Sequence, residues 1–212
     1  MGGLGRDRAA PAAAVVLAAG PSSRFGGFPK ACLDLDGIPA VRRIAEIALD
    51  AGLSPVVVVT GPHDPEIGRV LEGAAVRRVP NPEWPRGRSG SVRVGLAHVP
   101  AGDDVLLWPV DHPLVSTATV DRLLAARSAD PLATWFIPVW QGQPGHPVLF
   151  RSEVRAMIDG LDAAAPLRTL LPRLGPQVRR MPVPDPGVVA NLDTPDAYRH
   201  FVGAWRRGWT VE

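Results

Sequence analysis

Val15–Lys30, VVLAAGPSSRFGGFPK, joins an apolar run to a glycine-bearing loop and closes on two cations, Arg24 and Lys30. The run itself, Ala12 to Leu17, is continuous, small and β-branched, which fits an interior parallel strand covered on both faces. Ala18, Ala19 and Gly20 carry almost no side chain, so an anion can approach their backbone N–H groups directly. Ser22 and Ser23 add hydroxyl donors, Arg24 a planar fork of donors, and Lys30 a compact point charge. That combination suits a polyanion of the nucleoside triphosphate kind.

Two common phosphate patterns are excluded. A Walker loop needs GxxxxGK[ST], whereas Lys30 follows Pro29 and precedes Ala31. The dinucleotide fingerprint needs GxGxxG directly after the first strand, and Gly20-Pro21-Ser22 lacks its second glycine. Leu17, Gly20, Arg24, Gly26 and Lys30 stand instead in the register of the loop signature of MobA-like nucleotidyltransferases, and from about Ala13 to Phe201 the chain resembles that family. The resemblance implies transfer of a nucleoside monophosphate from a triphosphate to a phosphate-bearing acceptor, with release of pyrophosphate.

At 212 residues the chain is long enough for a full three-layer α/β core, and it reads as a single domain over 12–212 behind a short disordered lead, 1–11. The lead is not read as a signal peptide, because the cleavage region would fall inside the phosphate loop. No apolar run approaches the roughly 20 residues that span a bilayer, and a cytoplasmic, soluble protein is expected. The lone cysteine, Cys32, excludes an intramolecular disulfide and suits packing in a reducing compartment. With a net charge of only +2 and arginines scattered rather than blocked, nucleic-acid binding is disfavoured.

Apolar strands are expected at Ala13 to Leu17, Val56 to Thr60, Val76 to Val79, Val105 to Pro109 and Ala133 to Val139, with a late strand over Val178 to Val183. Helical spacing marks Val41 to Ala51, a segment after His63, Ser91 to Ala97, Ser116 to Ala126, Ser152 to Ile158 and Pro166 to Leu174. A last helix opens at Asp193-Thr194-Pro195, with Thr194 as N-cap and Pro195 in the first turn, and runs to about Trp205. The alternation predicts a doubly wound, mostly parallel, Rossmann-like α/β/α sheet, whereas QGQPGHPVLF after Trp140 reads as loosened chain.

Beyond the first loop, four stretches carry candidate chemistry. Asp111 ends a buried strand in LLWPVDHPLV; it reads either as an Asx turn before Pro113 or as a strand-end carboxylate for Mg²⁺, which takes one or two hard oxygens from protein and keeps several waters. The resemblance favours the metal. In VVANLDTPDAY, which resembles the family's closing motif, Asp193 matches a metal-side residue and Asn191 the position two before it, although Asp193 also suits a helix start. NPEWPRGRSGSVRVGL resembles the segment that lies against base and ribose: Ser91 is the expected contact, Gly87 to Gly90 a loop closing over the ligand, and Arg86, Arg88 and Arg93 read as surface arginines within reach of phosphate.

GHPV at Gly145 to Val148 resembles members that act on the molybdenum cofactor, where His146 would meet the acceptor. The family often has arginine where Gln143 or Pro144 stands here. Trp84, Trp135 and Trp140 are candidates for an apolar wall.

The expected nucleotide-binding set is therefore Leu17, Ala18, Ala19, Gly20, Ser22, Ser23, Arg24, Lys30, Thr60, Gly61, Gly90 and Ser91; the catalytic set is Arg24, Lys30 and Asp111. Asp111 and Asp193 are the expected Mg²⁺ ligands, and His112, His146 and Asn191 the acceptor side. Ala18-Ala19-Gly20, the LAAG form of the core, resembles members that use CTP on molybdopterin and supply a molybdenum oxidoreductase. A GTP-dependent guanylyltransferase, a sugar-phosphate nucleotidyltransferase and a non-catalytic nucleotide-binding or cofactor-delivery protein are the alternatives.

Overall fold

A computed structural model describes residues 11–209. The lead expected over 1–11 lies, apart from Pro11, outside the described residues. In chain order the elements are β1 (Ala12–Ala18), β2 (Asp34–Leu35), β3 (Ile38–Pro39), α1 (Ala40–Asp50), β4 (Val56–Thr60), α2 (Asp64–Val70), β5 (Arg77–Pro80), α3 (Arg88–Leu96) and β6 (Asp104–Pro109). They continue with α4 (Thr117–Ala129), β7 (Trp135–Trp140), β8 (Gln143–Pro144), β9 (Val148–Phe150), α5 (Arg155–Asp159), α6 (Leu171–Leu174), β10 (Val178–Pro182) and α7 (Pro195–Arg206).

The main sheet runs β10-β7-β9-β6-β1-β4-β5, with β8 paired to β7. From β1 the chain winds outward through β4 to β5 and then returns to the other side of β1 as β6, all in parallel pairing. The winding direction therefore reverses between β1 and β6, and in open α/β sheets such a reversal opens a crevice beyond the strand carboxyl ends.

Period-two alternation in β1 divides the core. Ala14, Val16 and Ala18 pack with Val41, Ile44 and Leu123 on one face; Ala13, Val15 and Leu17 pack with Val92, Leu96, Ile158 and Leu174 on the other. The expected three-layer, mostly parallel α/β/α fold is what the chain adopts. A third, smaller core sets Leu33, Leu35, Leu114 and Leu192 beneath Val202, with Phe25 and Tyr198 against it, so α7 fastens the closing motif to the loop that follows β1.

Three expectations need correction. QGQPGHPVLF is not loosened chain: it holds β8 and β9, and β9 runs antiparallel between β6 and β7. Val148–Phe150 is buried on both faces and only three residues long, so it shows no alternation, and its Gly and Pro neighbours mask it. The third helix starts at Arg88, not Ser91, because Gly87 at φ 133° turns the chain directly into it. The segments Ser152 to Ile158 and Pro166 to Leu174 are each a 3-10 turn followed by a short α-helix.

At the end of β6 away from the crevice, Asp104 is buried with Arg127 (Nε to Oδ2, 2.6 Å) and accepts the Ser152 N–H at 2.9 Å, which ties α4 to the turn after β9. On the crevice side α3 approaches β1 and β4 closely at Gly95, where a Cβ would meet Val15 Cγ1 at 2.5 Å and Val59 Cγ2 at 3.0 Å. Both valines are fully buried and stiff at χ1. Gly95→Ala is expected to destabilise by about 1–3 kcal/mol through overpacking, read as a lower urea midpoint at unchanged m.

Candidate functional site

The crevice lies where the winding reverses. Val110 N–H donates to the Leu17 carbonyl (3.0 Å), which carries the pairing of β6 with β1 one step past the strand and sets Asp111 beside Ala19 and Gly20. Leu192 N–H in turn donates to the Asp111 carbonyl (2.7 Å), drawing the closing motif across the same opening.

Two cavities meet there. One of ≈ 250 Å³ is lined by Leu17, Ala19, Gly20, Lys30, Trp84, Arg88, Ser91 and Asp111 among others. The second, ≈ 210 Å³, runs over Gly20, Ser22, Ser23, Arg24, Lys30 and Asp193. Lys30 belongs to both and stands at the join.

Lys30 Nζ lies 2.7 Å from Asp193 Oδ1 and 3.6 Å from Asp111 Oδ2, so one cation sits between two carboxylates. Arg24 donates to the other oxygen of Asp193. The loop that carries both cations is braced from within: Ser22 takes the left-handed region at φ 52° and its Oγ accepts the Lys30 N–H at 2.9 Å, while His63 Nε2 lies 3.1 Å from the Pro21 carbonyl. Burial alone would push the Asp111 carboxyl up, but the facing His112, Lys30 and Arg88 outweigh it and hold the group below the ordinary carboxylate range. Asp111 is therefore an anion with its charge directed into the crevice.

Beside it, His112 and His146 place their rings 4.8 Å apart at 52°. His112 is fixed by its carbonyl, which accepts from Trp108 Nε1 (2.9 Å), and His146 by its N–H, which donates to the Val188 carbonyl (2.8 Å). Burial pushes His112 down, and burial followed by the facing His112 pushes His146 down to about 3, so His146 is neutral near pH 7. Asn191 Nδ2 reaches Asp111 Oδ2 at 3.4 Å. Both ring Nδ1 atoms and Asn191 Oδ1 are buried with no hydrogen-bond partner among the described residues.

The family description "MobA-like NTP transferase domain" matches residues 14–178, the greater part of the chain, which includes the loop after β1 and Asp111. The chain belongs to the MobA-like NTP transferase family. Residues 14–178 thus form a nucleotidyltransferase domain of the MobA-like kind. Among solved structures, a nucleotidyl transferase from Methanothermobacter thermautotroptrophicus superposes with a TM-score of 0.79 at 25% identity, over 93% of this chain and 99% of that one. Rv0371c from Mycobacterium tuberculosis H37Rv follows at 0.75 and 27%, over 91% and 98%. A curated relative, nicotine blue oxidoreductase of Paenarthrobacter nicotinovorans, is 35% identical over 112 residues. That stretch is 53% of this chain and 55% of the relative, so the match spans about half the relative's length.

Within the residues matched to the MobA-like domain the structure gathers Leu17, Ala19, Gly20, Ser22, Ser23, Arg24, Lys30, Ser91 and Asp111 along the crevice, and Asp193 joins them from beyond its end. Other expected contacts fall elsewhere. Ala18 points to the opposite layer of the core. Thr60 is fully buried and donates its hydroxyl to Asp64 Oδ1 (2.6 Å), while Gly61 serves close packing, since a Cβ there would sit 2.3 Å from the Ala19 carbonyl oxygen. Gly90 faces Ala163.

Nor is Gly87 to Gly90 a loop free to close. A Cβ on Gly87 would strike the Ala163 carbonyl oxygen at 2.2 Å, and Ser89 Oγ donates to the Ala165 carbonyl at 2.5 Å, so the turn is pinned. Of the three tryptophans only Trp84 lines the cavity; Trp135 stacks on Phe150 in the core at 5.2 Å, and Trp140 packs against the opposite layer. Arg93 is engaged by the Leu161 carbonyl (2.8 Å) and Arg86 by Glu83 (2.7 Å), which leaves Arg88 as the arginine of that segment in the cavity wall. Arg88 opens α3, whose start the spacing places three residues later, so the structure alone sets it in the wall.

Proposed function

We propose that the protein transfers a nucleoside monophosphate, from CTP by preference, to the phosphate of molybdopterin, with Mg²⁺ and release of pyrophosphate. The carrying observation is the Lys30 ammonium held between Asp111 and Asp193 where the two cavities join. A cation position within reach of two carboxylates fits a divalent ion, and the unpartnered Asn191 Oδ1 beside Asp111 is a further hard oxygen. Mg²⁺ takes one or two hard oxygens from protein and draws the rest of its shell from phosphate and water. Asp111 and Asp193 would hold it, and it would supply charge neutralisation on the phosphate oxygens.

The chain's own residues account for the rest. An acceptor phosphate monoester is already anionic near neutral pH and needs no general base. Its oxygen attacks the α-phosphorus in line as the bond from that phosphorus to the bridging oxygen breaks, and pyrophosphate carries the electron pair away. Catalysis reduces to placement and charge stabilisation. Backbone N–H groups at Ala19 and Gly20 face the phosphates, and Arg24 and Lys30 offset charge growing on the leaving group. Trp84, Arg88 and Ser91 line the larger cavity and suit the nucleoside.

The preference for CTP rests on the LAAG form at Leu17 to Gly20, and the pterin acceptor on Gly145-His146-Pro147. The unpartnered nitrogens of His112 and His146 support an acceptor rich in hydrogen-bonding edges. No helix among the described residues is long and apolar enough to cross a membrane. A cytoplasmic setting and a molybdenum oxidoreductase as recipient complete the proposal.

Pyrophosphate release is measured with Mg²⁺, molybdopterin and each of CTP, GTP, ATP and UTP in turn. CTP is expected to give the highest rate. A higher rate with GTP makes the protein a guanylyltransferase, and turnover only with a sugar phosphate replaces the acceptor. Tight nucleotide binding with no pyrophosphate from any combination would make it a binding or delivery protein. The same assay separates transfer from the redox activity that the name of the Paenarthrobacter relative carries.

A further inference from the structure

The wall of the larger cavity holds a hydrogen bond whose direction can be assigned. Asn81 and Ser91 are 2% and 4% exposed, and Asn81 Nδ2 lies 3.0 Å from Ser91 Oγ. The two ends of an asparagine amide look alike in outline, and only their partners identify them. Here Oδ1 lies 3.0 Å from the backbone N–H of Glu83, a group that only donates. The amide nitrogen therefore faces the serine, and Ser91 Oγ is the acceptor. A hydroxyl has one proton, and that proton is left to point away from Asn81. Ser91 lines the cavity, and its Oγ has no other partner among the described residues.

Asn81 is itself immobilised. Its N–H donates to the Thr60 carbonyl (2.8 Å) and its carbonyl accepts from Trp84 N–H (3.3 Å), so one residue links the end of β4, the turn that presents Trp84, and the first turn of α3. Asn81 bonds none of Arg24, Lys30, Asp111 and Asp193; its side-chain partners are Ser91 in the wall of the larger cavity and Glu83.

We infer that Asn81 is a positioning residue that fixes the Ser91 hydroxyl as a one-way donor into the cavity, selecting ligands that present an acceptor atom there: a base carbonyl, a ring nitrogen or a sugar oxygen. The inference rests on the nucleotide-binding reading above and adds to it the polarity of one contact.

The test reverses the bond. Asn81→Asp keeps the shape and the acceptor for Glu83 N–H but offers Ser91 a carboxylate, so the serine must donate to it and its proton is withdrawn from the ligand. Calorimetric titration of CTP with Mg²⁺ is expected to show affinity about tenfold weaker in Asn81→Asp, the scale of one lost hydrogen bond, with KM rising more than kcat falls. Ser91→Ala should lose the same factor, and the double variant should be no weaker than Ser91→Ala alone.

Full additivity in the double variant, or unchanged affinity in Asn81→Asp, overturns the inference. If Asn81→Asp does not fold, Ser91→Ala still decides: wild-type affinity there removes the donor role altogether. Failure of the wild-type protein to bind any nucleoside triphosphate would instead overturn the nucleotide reading, an outcome separate from these.

Discussion

Lys30→Met is expected to lower kcat/KM for nucleotidyl transfer by roughly 10²–10³-fold, the usual cost of removing one preorganised charge-stabilising donor. The reason is location. Lys30 lines both the phosphate-loop cavity and the cavity at Trp84, its ammonium is mostly shielded from water, and among the described residues no other cation touches both Asp111 and Asp193. Lys30→Arg should recover only part of the loss, because a guanidinium fork is a poor replacement for a compact point charge in a space shaped for an ammonium. Initial rates with saturating Mg²⁺ and CTP, read beside thermal melts, check both variants. A Lys30→Met enzyme that keeps a tenth or more of its activity while folded would show that the cation is structural.

Asp193→Asn should separate metal dependence from nucleotide affinity. Asp193 occupies both cations at once, Lys30 through Oδ1 and Arg24 through Oδ2. Triphosphate arriving without a metal must compete with that carboxylate, whereas a metal drawing Asp193 toward itself would release the cations for phosphate. Metal and nucleotide should therefore strengthen each other's binding, and linkage requires the coupling to be reciprocal, typically about 5–150-fold. With asparagine at 193 the competition disappears. CTP binding in EDTA is expected to tighten, the stimulation by Mg²⁺ to shrink, and turnover with Mg²⁺ to fall roughly a hundredfold, near the lower end for a lost charge-stabilising group. Titration of CTP into both proteins with and without Mg²⁺ measures the coupling. Equal metal-free affinities would mean that Asp193 does not restrain the cations.

What could be read from the residues alone follows from how local each signal is. The first strand and its loop are legible because a run of small and β-branched residues followed by Ala-Ala-Gly is decisive on its own, and Thr194-Pro195 announces α7 by capping chemistry that needs no tertiary partner: its Oγ1 accepts Ala197 N–H at 3.1 Å. Asp111 and Asp193 could be singled out individually. Their meeting at Lys30 could not, because it depends on the small core under α7 that folds the closing motif back onto the loop.

Trp84 and Trp135 look equivalent in sequence, and only the stacking of Trp135 on Phe150 separates a core ring from a cavity wall. Thr60 ends a strand on the correct edge of the sheet, yet Asp64 lies one helical turn away and takes its hydroxyl. Gly87 reads, by resemblance, as part of a loop closing over the ligand and proves to be a packing point, since the feature that decides it, the backbone at Ala163 and Ala164, lies far along the chain.

The reversed strand β9 has one more effect. Because it runs against β6 and β7, its beginning rather than its end lies at the crevice, and a short hairpin of its own brings the turn through Gly145, His146 and Pro147 beside His112. The phosphate loop comes from the first half of the chain, and the turn that carries His146 comes from the second. Under the proposed function, rewriting about ten residues of that hairpin would change which acceptor fits while leaving the loop after β1 untouched.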